Sequence, residues 1–418
     1  MPRIVHSYEE FENSISKELI VDFAYDSTKV LKNPTAQHII FKPTFDTSNV
    51  KNMSDMFKYC SSVLYLDVSH FNTSNVEDMS HMFAGCCKLR QLDLSNFDTH
   101  NVKHMTGMFA NCSMITNLDI SSFDTSAVED MQEMFMHCCE LTSLDLSSFD
   151  TSTVVDMSRM FYDCASLKQI DLSNFDTSAV KNMSCMFRLC GSLTTLDLSS
   201  FNTSNVEDMR CMFNGCHKLR QLDLSNFDTH NVTNMYGMFA NCKVITSLDL
   251  SNFDTSAVED MSDMFMYCTF LTKLDISNFD TSAVKTMFGM FMGCTFLTKL
   301  DLSNFDTRNV KDMHQMFRMC SSLTSLNLSS FDTSAVKYMG CMFDHCCALP
   351  NLDLSSFNTS DVDMRFMFSG CTMLKTLDIS NFTLCDIDAL KFLFDDKCPP
   401  FITLPSNIDF RDINTRHL

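Results

Sequence analysis

Two files of residues have types and spacing that could do chemistry. Aspartate stands at Asp67, Asp93, Asp119, Asp145, Asp171, Asp197, Asp223, Asp249, Asp275, Asp301, Asp353 and Asp378, and Asn327 fills the one gap in the series. Cysteine recurs in thirteen places at the same interval, from Cys60 to Cys371. A row of carboxylates could hold cations or a cationic partner. A row of thiols could bind a soft metal or cross-link.

The interval is set by phenylalanine, which recurs every 26 residues from Phe45 to Phe357 and again at Phe382 after a step of 25. Upstream of each Phe lies L-x-x-L-D-L-S-x-F, as in Leu89, Leu92, Leu94 and Phe97, where the last leucines alternate with polar residues. That alternation predicts a short half-buried strand. Downstream, Val102, Met105, Met108, Phe109 and Cys112 follow Phe97 at +5, +8, +11, +12 and +15, which predicts a helix with one apolar face. The corner between them is F-D/N-T-S, with Asp or Asn at +1 and Thr at +2 in all thirteen full repeats. Either side chain suits a helix N-cap.

A single strand and helix of this size cannot cover its own apolar side, but stacked copies can. The expected fold is α/β: a leucine-rich-repeat solenoid of about 14 rungs of 26 residues, each a short parallel strand plus a helix, forming a single curved domain. Residues 1–44 are expected to be an N-terminal cap, with Ser7 and Glu10 as a capping box for a helix of about three turns and "IVDF" as a short strand. Residues 45–382 form the array. Residues 383–418 hold the last rung, in which Ile387, Leu390 and Leu393 replace Val and both Met, and a proline-rich C-terminal cap.

The Asp of each L-D-L-S lies between two inward aliphatic residues and must point outward. Like charges facing each other across strands are destabilising, so local hydrogen bonds are the expected compensation, with cation or partner binding as the alternative. Asn327 favours hydrogen bonding. The cysteines fit the core stripe as free thiols, since every one has two equivalent neighbours and no C-x-x-C zinc spacing occurs. Methionine at +8 and +11 accounts for 26 of the 33 methionines and reads as core filling.

No Ser-His-Asp set, phosphate-binding Gly-rich loop or H-E-x-x-H is present, so no catalytic, cofactor-binding or metal-ligating residue is assigned and no enzyme is expected. A net charge of −21 disfavours nucleic acid as a partner. No apolar run is long enough to span a membrane, and the start of the sequence lacks the pattern of a secretory signal. With 21 cysteines, that predicts a cytoplasmic or other reducing compartment; a surface or virion component is the alternative.

Laid out as LxxLDLSxFDTSxVxxMxxMFxxC, residues 45 to about 398 resemble the BspA-like, Treponema-type leucine-rich repeats, especially the Phe-Asp-Thr-Ser and Met-Phe-x-x-Cys variant of mycoplasma-type surface proteins. The resemblance implies a noncatalytic adhesion or interaction protein. It also implies that a phenylalanine stack replaces the inward asparagine ladder of other leucine-rich repeats. Residues 69–198 match 199–328 rung by rung, as in "LDLSNFDTH" at 92–100 and 222–230, which indicates growth by copying a five-rung block. The expected function is a scaffold for protein–protein interaction through an extended acidic surface, with the twelve aspartates named above as partner-binding residues; the alternative is a structural ruler or cement in a larger assembly.

Overall fold

The F-D/N-T-S corner forms a tight turn in every full repeat. In the first, the Val50 N–H donates to the Thr47 carbonyl (3.0 Å), and the Ser48 N–H donates to Asp46 Oδ1 (2.9 Å). The computed structural model describes residues 2–26, 29–384, 387–394, 399–406 and 408. The chain divides into two compact units, residues 1–206 and 207–418.

In the first unit, β1 (Arg3–Val5), β2 (Glu18–Val21), β3 (His38–Phe41) and β4 (Tyr65–Asp67) form a parallel sheet in that order. Val5 pairs with Val21, Val21 with Phe41, and Ile39 with Leu66, so apolar residues superpose from strand to strand. The N-terminal segment therefore adds three rung-like strands before the first repeat strand. Between β1 and β2 lies α1 (Tyr8–Glu12), capped by Ser7, whose side chain accepts the Glu10 N–H. It runs for five residues, not three turns. Asn13 stops it by turning its backbone N–H and side-chain amide onto the Glu9 carbonyl.

In the second unit, β5 (Ser247–Asp249) pairs in parallel with β6 (Lys273–Asp275), and β7 (Lys299–Leu300) with β8 (Ser325–Leu326). Near its end, β9 (Asn351–Leu352), β10 (Thr376–Asp378) and β11 (Phe401–Thr403) form a three-stranded parallel sheet. The last of these strands lies in the proline-rich closing segment.

The helix expected in each repeat does not form. In its place the chain runs through linked turns: the Met56, Lys58 and Cys60 N–H groups donate to the Met53, Asp55 and Phe57 carbonyls, three residues back, at 3.3, 3.0 and 3.1 Å. The intervening N–H groups of Met53, Asp55, Phe57 and Tyr59 donate instead to Asp78, Ser80, Met82 and Ala84 of the next rung, at 2.8, 2.8, 2.8 and 2.7 Å. Left-handed residues at +10 and +14, such as Asp55 (φ 59°) and Tyr59 (φ 64°), break any helical run.

The physical reason is spacing. Packed helices need about 8–10 Å between axes, whereas strands stack about 4.8 Å apart. The Phe rings at +12 lie 5.7–5.8 Å apart from Phe57 to Phe187, too close for a helix in every rung. Linked turns keep the same Val, Met, Met, Phe and Cys facing inward while letting rungs approach and exchange backbone hydrogen bonds. In the last rung, where the sequence supplies no further repeat, the helix does form, as α2 (Ile387–Leu393).

The core consists of these files. Met53, Met56, Phe57 and their equivalents are 0 % exposed through most rungs, and Val76 onward likewise. Burying a Phe or Met contributes about 1.5–3 kcal/mol, so each rung gains most of its stability from contact with the next. The expected phenylalanine stack at position 0 is present but looser, with Phe305, Phe331 and Phe357 spaced at 6.4 Å. The tighter aromatic file is the one at +12.

Candidate functional site

Up to three Asx turns per repeat generate the acidic surface, the third being absent where +7 is His104, Thr286 or Tyr338. The first is the strand-face aspartate, whose Oδ1 accepts the N–H of the serine two residues on: 3.0 Å from Ser95 to Asp93, 2.9 Å from Ser147 to Asp145, 3.0 Å from Ser303 to Asp301. The second is at +1, as in Asp124 accepting from the Ser126 N–H at 3.0 Å. The third is at +7, as in Asp156 accepting from the Ser158 N–H at 2.7 Å. Asp and Asn are favoured where a side chain must mimic a backbone turn. The charge is thus a by-product of turn chemistry repeated on every rung.

Of the twelve strand-face aspartates, Asp67 is half-buried and the other eleven are exposed. They stand one per rung, and Asp249 lies directly opposite Asp275 in register. Repulsion between neighbours is outweighed locally. At Asp119, hydrogen bonds from the Ser121 hydroxyl (2.7 Å) and N–H (3.1 Å) hold the carboxyl below the ordinary range, against the opposing influence of Asp145 and Asp93. Asn327 makes the same turn, accepting the Ser329 N–H at 3.1 Å, so the charge is dispensable to the geometry.

The threonine at +2 does not cap a helix. Its hydroxyl bridges two rungs: Thr73 Oγ1 donates to the Asp98 carbonyl (2.8 Å) and accepts the Asp98 N–H (2.8 Å). The file is buried throughout, with Thr125 and Thr151 at 0 % exposure. It performs the task of an inward asparagine ladder, satisfying backbone groups of the adjacent rung with one side chain.

The ladder thiols are core groups. Cys60 Sγ donates to the Leu31 carbonyl (3.0 Å), and later ones donate to the +12 carbonyl of the preceding rung, as Cys164 Sγ does to the Phe135 carbonyl (3.2 Å); the nineteen described cysteines are all thiols. Burial pushes Cys164 well above the ordinary thiol pKa and Cys138 up to about 12, so both are poor nucleophiles.

One cluster was missed because sequence spacing alone conceals it. The side chains of His137, Cys139 and Asp163 offer nitrogen, sulfur and oxygen atoms that all lie within 4.8 Å of one another. His137 and Asp163 occupy the same repeat position, +14, one rung apart. Only stacking makes them neighbours. The signal in the sequence is the shared +14 offset of His137 and Asp163, with Cys139 two residues beyond His137.

Parallel strands in a 26-residue repeat, inward leucines and a buried polar ladder define a solenoid of the leucine-rich-repeat class. Within that class the particular family follows from the repeat itself: the chain belongs to the family described as "Mycoplasma protein of unknown function, DUF285", which it matches over residues 27–143, 113–221, 190–300 and 270–382. No curated protein matches it. Among solved structures it is similar to a leucine-rich repeat protein from Bacteroides ovatus (18% identity, 82% of this chain and 79% of that chain, TM-score 0.41). It is also similar to a leucine rich cell surface protein from Faecalibacterium prausnitzii (12% identity, 94% and 86%, TM-score 0.36) and a leucine-rich repeat protein from Eubacterium ventriosum (16% identity, 86% and 84%, TM-score 0.33). Among the described residues no helix is long and apolar enough to cross a membrane.

Proposed function

We propose that the chain is a noncatalytic scaffold that binds a protein partner through the strand face, with contacts spread over several rungs. What supports this is the exposed row of carboxylates fixed by Asx turns. A side chain already held by its neighbour loses little conformational freedom when a partner docks, and so retains more of the interaction energy. Arg90, Lys168, Arg220 and Lys299 interleave with the aspartates and would set register against a partner carrying both signs.

Because Asn327 keeps the turn without the charge, Asp→Asn separates the two roles. The variant Asp93→Asn, Asp119→Asn, Asp145→Asn, Asp171→Asn should fold like the parent yet lose the binding partner that the parent captures from its source cell. Undiminished capture would sink the proposal. A second role, as a ruler or cement in a larger assembly, is favoured by the uniform 5.6–5.8 Å Phe spacing from Phe213 to Phe343. In that case deleting one five-rung block shortens the assembly instead of weakening a local contact. The compartment we propose is a reducing one, because the ladder thiols work as hydrogen-bond donors only while reduced. A count well below 21 thiols on the denatured native protein would place it elsewhere, with a surface or virion location as the alternative.

A further inference from the structure

The stack repeats its template so closely that a local departure stands out, and the sharpest departure lies at two consecutive +14 corners of the first unit. Most full repeats carry an uncharged residue there, such as Gly85, Asn111 or Tyr59. Here one rung carries His137 and the next Asp163, both left-handed (φ 58°). Their backbones are pinned: the His137 N–H donates to the Tyr162 carbonyl (2.7 Å) and the Asp163 N–H to the Arg188 carbonyl (2.7 Å). The His137 ring is held edge-on to Tyr162, centroids 5.0 Å apart. Its Nδ1 lies 2.9 Å from Asp163 Oδ2, and Cys139 Sγ lies 3.5 Å from the same oxygen. All three residues are half-buried, neither sealed in the core nor freely solvated.

We propose that His137, Cys139 and Asp163 form a binding site for one zinc-class divalent cation that ties two adjacent rungs together. A nitrogen, a sulfur and a carboxylate oxygen are the donors that borderline-soft Zn²⁺ takes, whereas Ca²⁺ and Mg²⁺ require nearly all-oxygen shells. Tetrahedral zinc with bonds of about 2.0–2.3 Å puts its ligands roughly 3.3–3.8 Å apart. The separations of 2.9 and 3.5 Å, with all donors inside 4.8 Å, reach that by shifts of about 1 Å or less.

The charges balance. On binding, the Cys139 thiol releases its proton to solvent, His137 stays neutral with its proton on Nε2, and the thiolate and carboxylate together neutralise the dication. Water completes the fourth position. The sequence also provides an internal control: His345 and Cys347 repeat the His-Cys-Cys pattern of 137–139, but the next rung places Gly370 where Asp163 would be. At that second pair the next rung supplies no carboxylate: the one on His345 Nδ1 is Asp344, the preceding residue of the same rung (2.5 Å).

The test uses the full chain, reduced and stripped with chelator, then dialysed against zinc and separately titrated with Co²⁺. The expected result is one zinc retained per chain and a thiolate-to-cobalt charge-transfer band. Cys139→Ser and Asp163→Asn should each weaken zinc binding by at least about 100-fold, beyond what loss of an outer partner costs. Cys347→Ser should leave it unchanged. Asparagine tolerates the left-handed backbone, so Asp163→Asn should melt like the parent in metal-free buffer. Failure to retain stoichiometric zinc, or equal retention by both site variants, would overturn the assignment. Should one variant misfold, the other together with the cobalt spectrum still decides.

Discussion

Replacing Thr125 tests whether the +2 threonine is a rung-to-rung bridge or a helix cap. Its hydroxyl donates to the Asp150 carbonyl at 2.7 Å and accepts the Asp150 N–H at 2.9 Å, and the residue is 0 % exposed. Thr125→Val keeps the shape and removes both bonds, each contributing about 0.5–1.5 kcal/mol net, so the local loss should be about 1–3 kcal/mol. Long arrays need not unfold in one step, which makes a global midpoint a poor gauge. Native-state hydrogen exchange at the Asp150 amide reads the loss directly, with 1–3 kcal/mol corresponding to exchange roughly 5–150-fold faster. Thr125→Asp separates the two roles: aspartate is at least as good an N-cap as threonine, but a carboxylate in a fully buried bridge must be desolvated. We expect Thr125→Asp to be more damaging than Thr125→Val. An Asp variant as stable as the parent, or an unchanged Asp150 exchange rate in the Val variant, would refute the bridging role.

Other outcomes follow from the same geometry. With the protein folded, thiol reagents should modify at most the half-buried Cys87, Cys139, Cys341, Cys347 and Cys371 among the described cysteines, and mass spectrometry should find the ladder thiols from Cys60 to Cys346 unmodified until denaturant is added. At Asn241 (φ 61°), glycine should be near neutral, while valine should cost about 1–2 kcal/mol in thermal or urea melts of the second unit. Burial raises Asp263 to about 6, opposed by a hydrogen bond with Tyr236, from an ordinary value of 3.8. The ionised form is the disfavoured one, so stability should fall as pH rises from about 4 through 6, by about 2–3 kcal/mol in all. Asp263→Asn should abolish that slope, and a parent melting temperature flat between pH 4 and 7 would contradict it. The strand-face aspartates act in the opposite sense: hydrogen bonds from Ser121 depress Asp119, so its contribution is present above the ordinary carboxylate range and is lost as pH falls through its folded value. Asp119→Asn should flatten that acid limb.

The repeat array was legible because an interval of 26 with inward Leu, Phe, Met and Cys leaves only one economical way to bury each face. The outward position and local hydrogen bonding of the aspartates were also accessible: alternation puts Asp93 outward, and Asn327 signals hydrogen bonding in place of obligatory charge. The helix was the instructive error. Val, Met, Met, Phe and Cys at +5, +8, +11, +12 and +15 fit a helical face, but a chain of turns with hydrogen bonds three residues back produces nearly the same inward set. Periodicity reports which residues face the core, not which backbone carries them there.

Sequence alone therefore determined the rung, its period, its buried residues and its outward carboxylates, since these follow from local alternation and from the need to cover apolar surface. The tertiary structure decided the rest. Rings stacked 5.7 Å apart exclude a helix in each rung, and Thr73 becomes a ladder because its partner, Asp98, belongs to the next rung. His137 and Asp163 lie 26 residues apart in the chain and 2.9 Å apart in space, because stacking converts equal repeat position into physical contact.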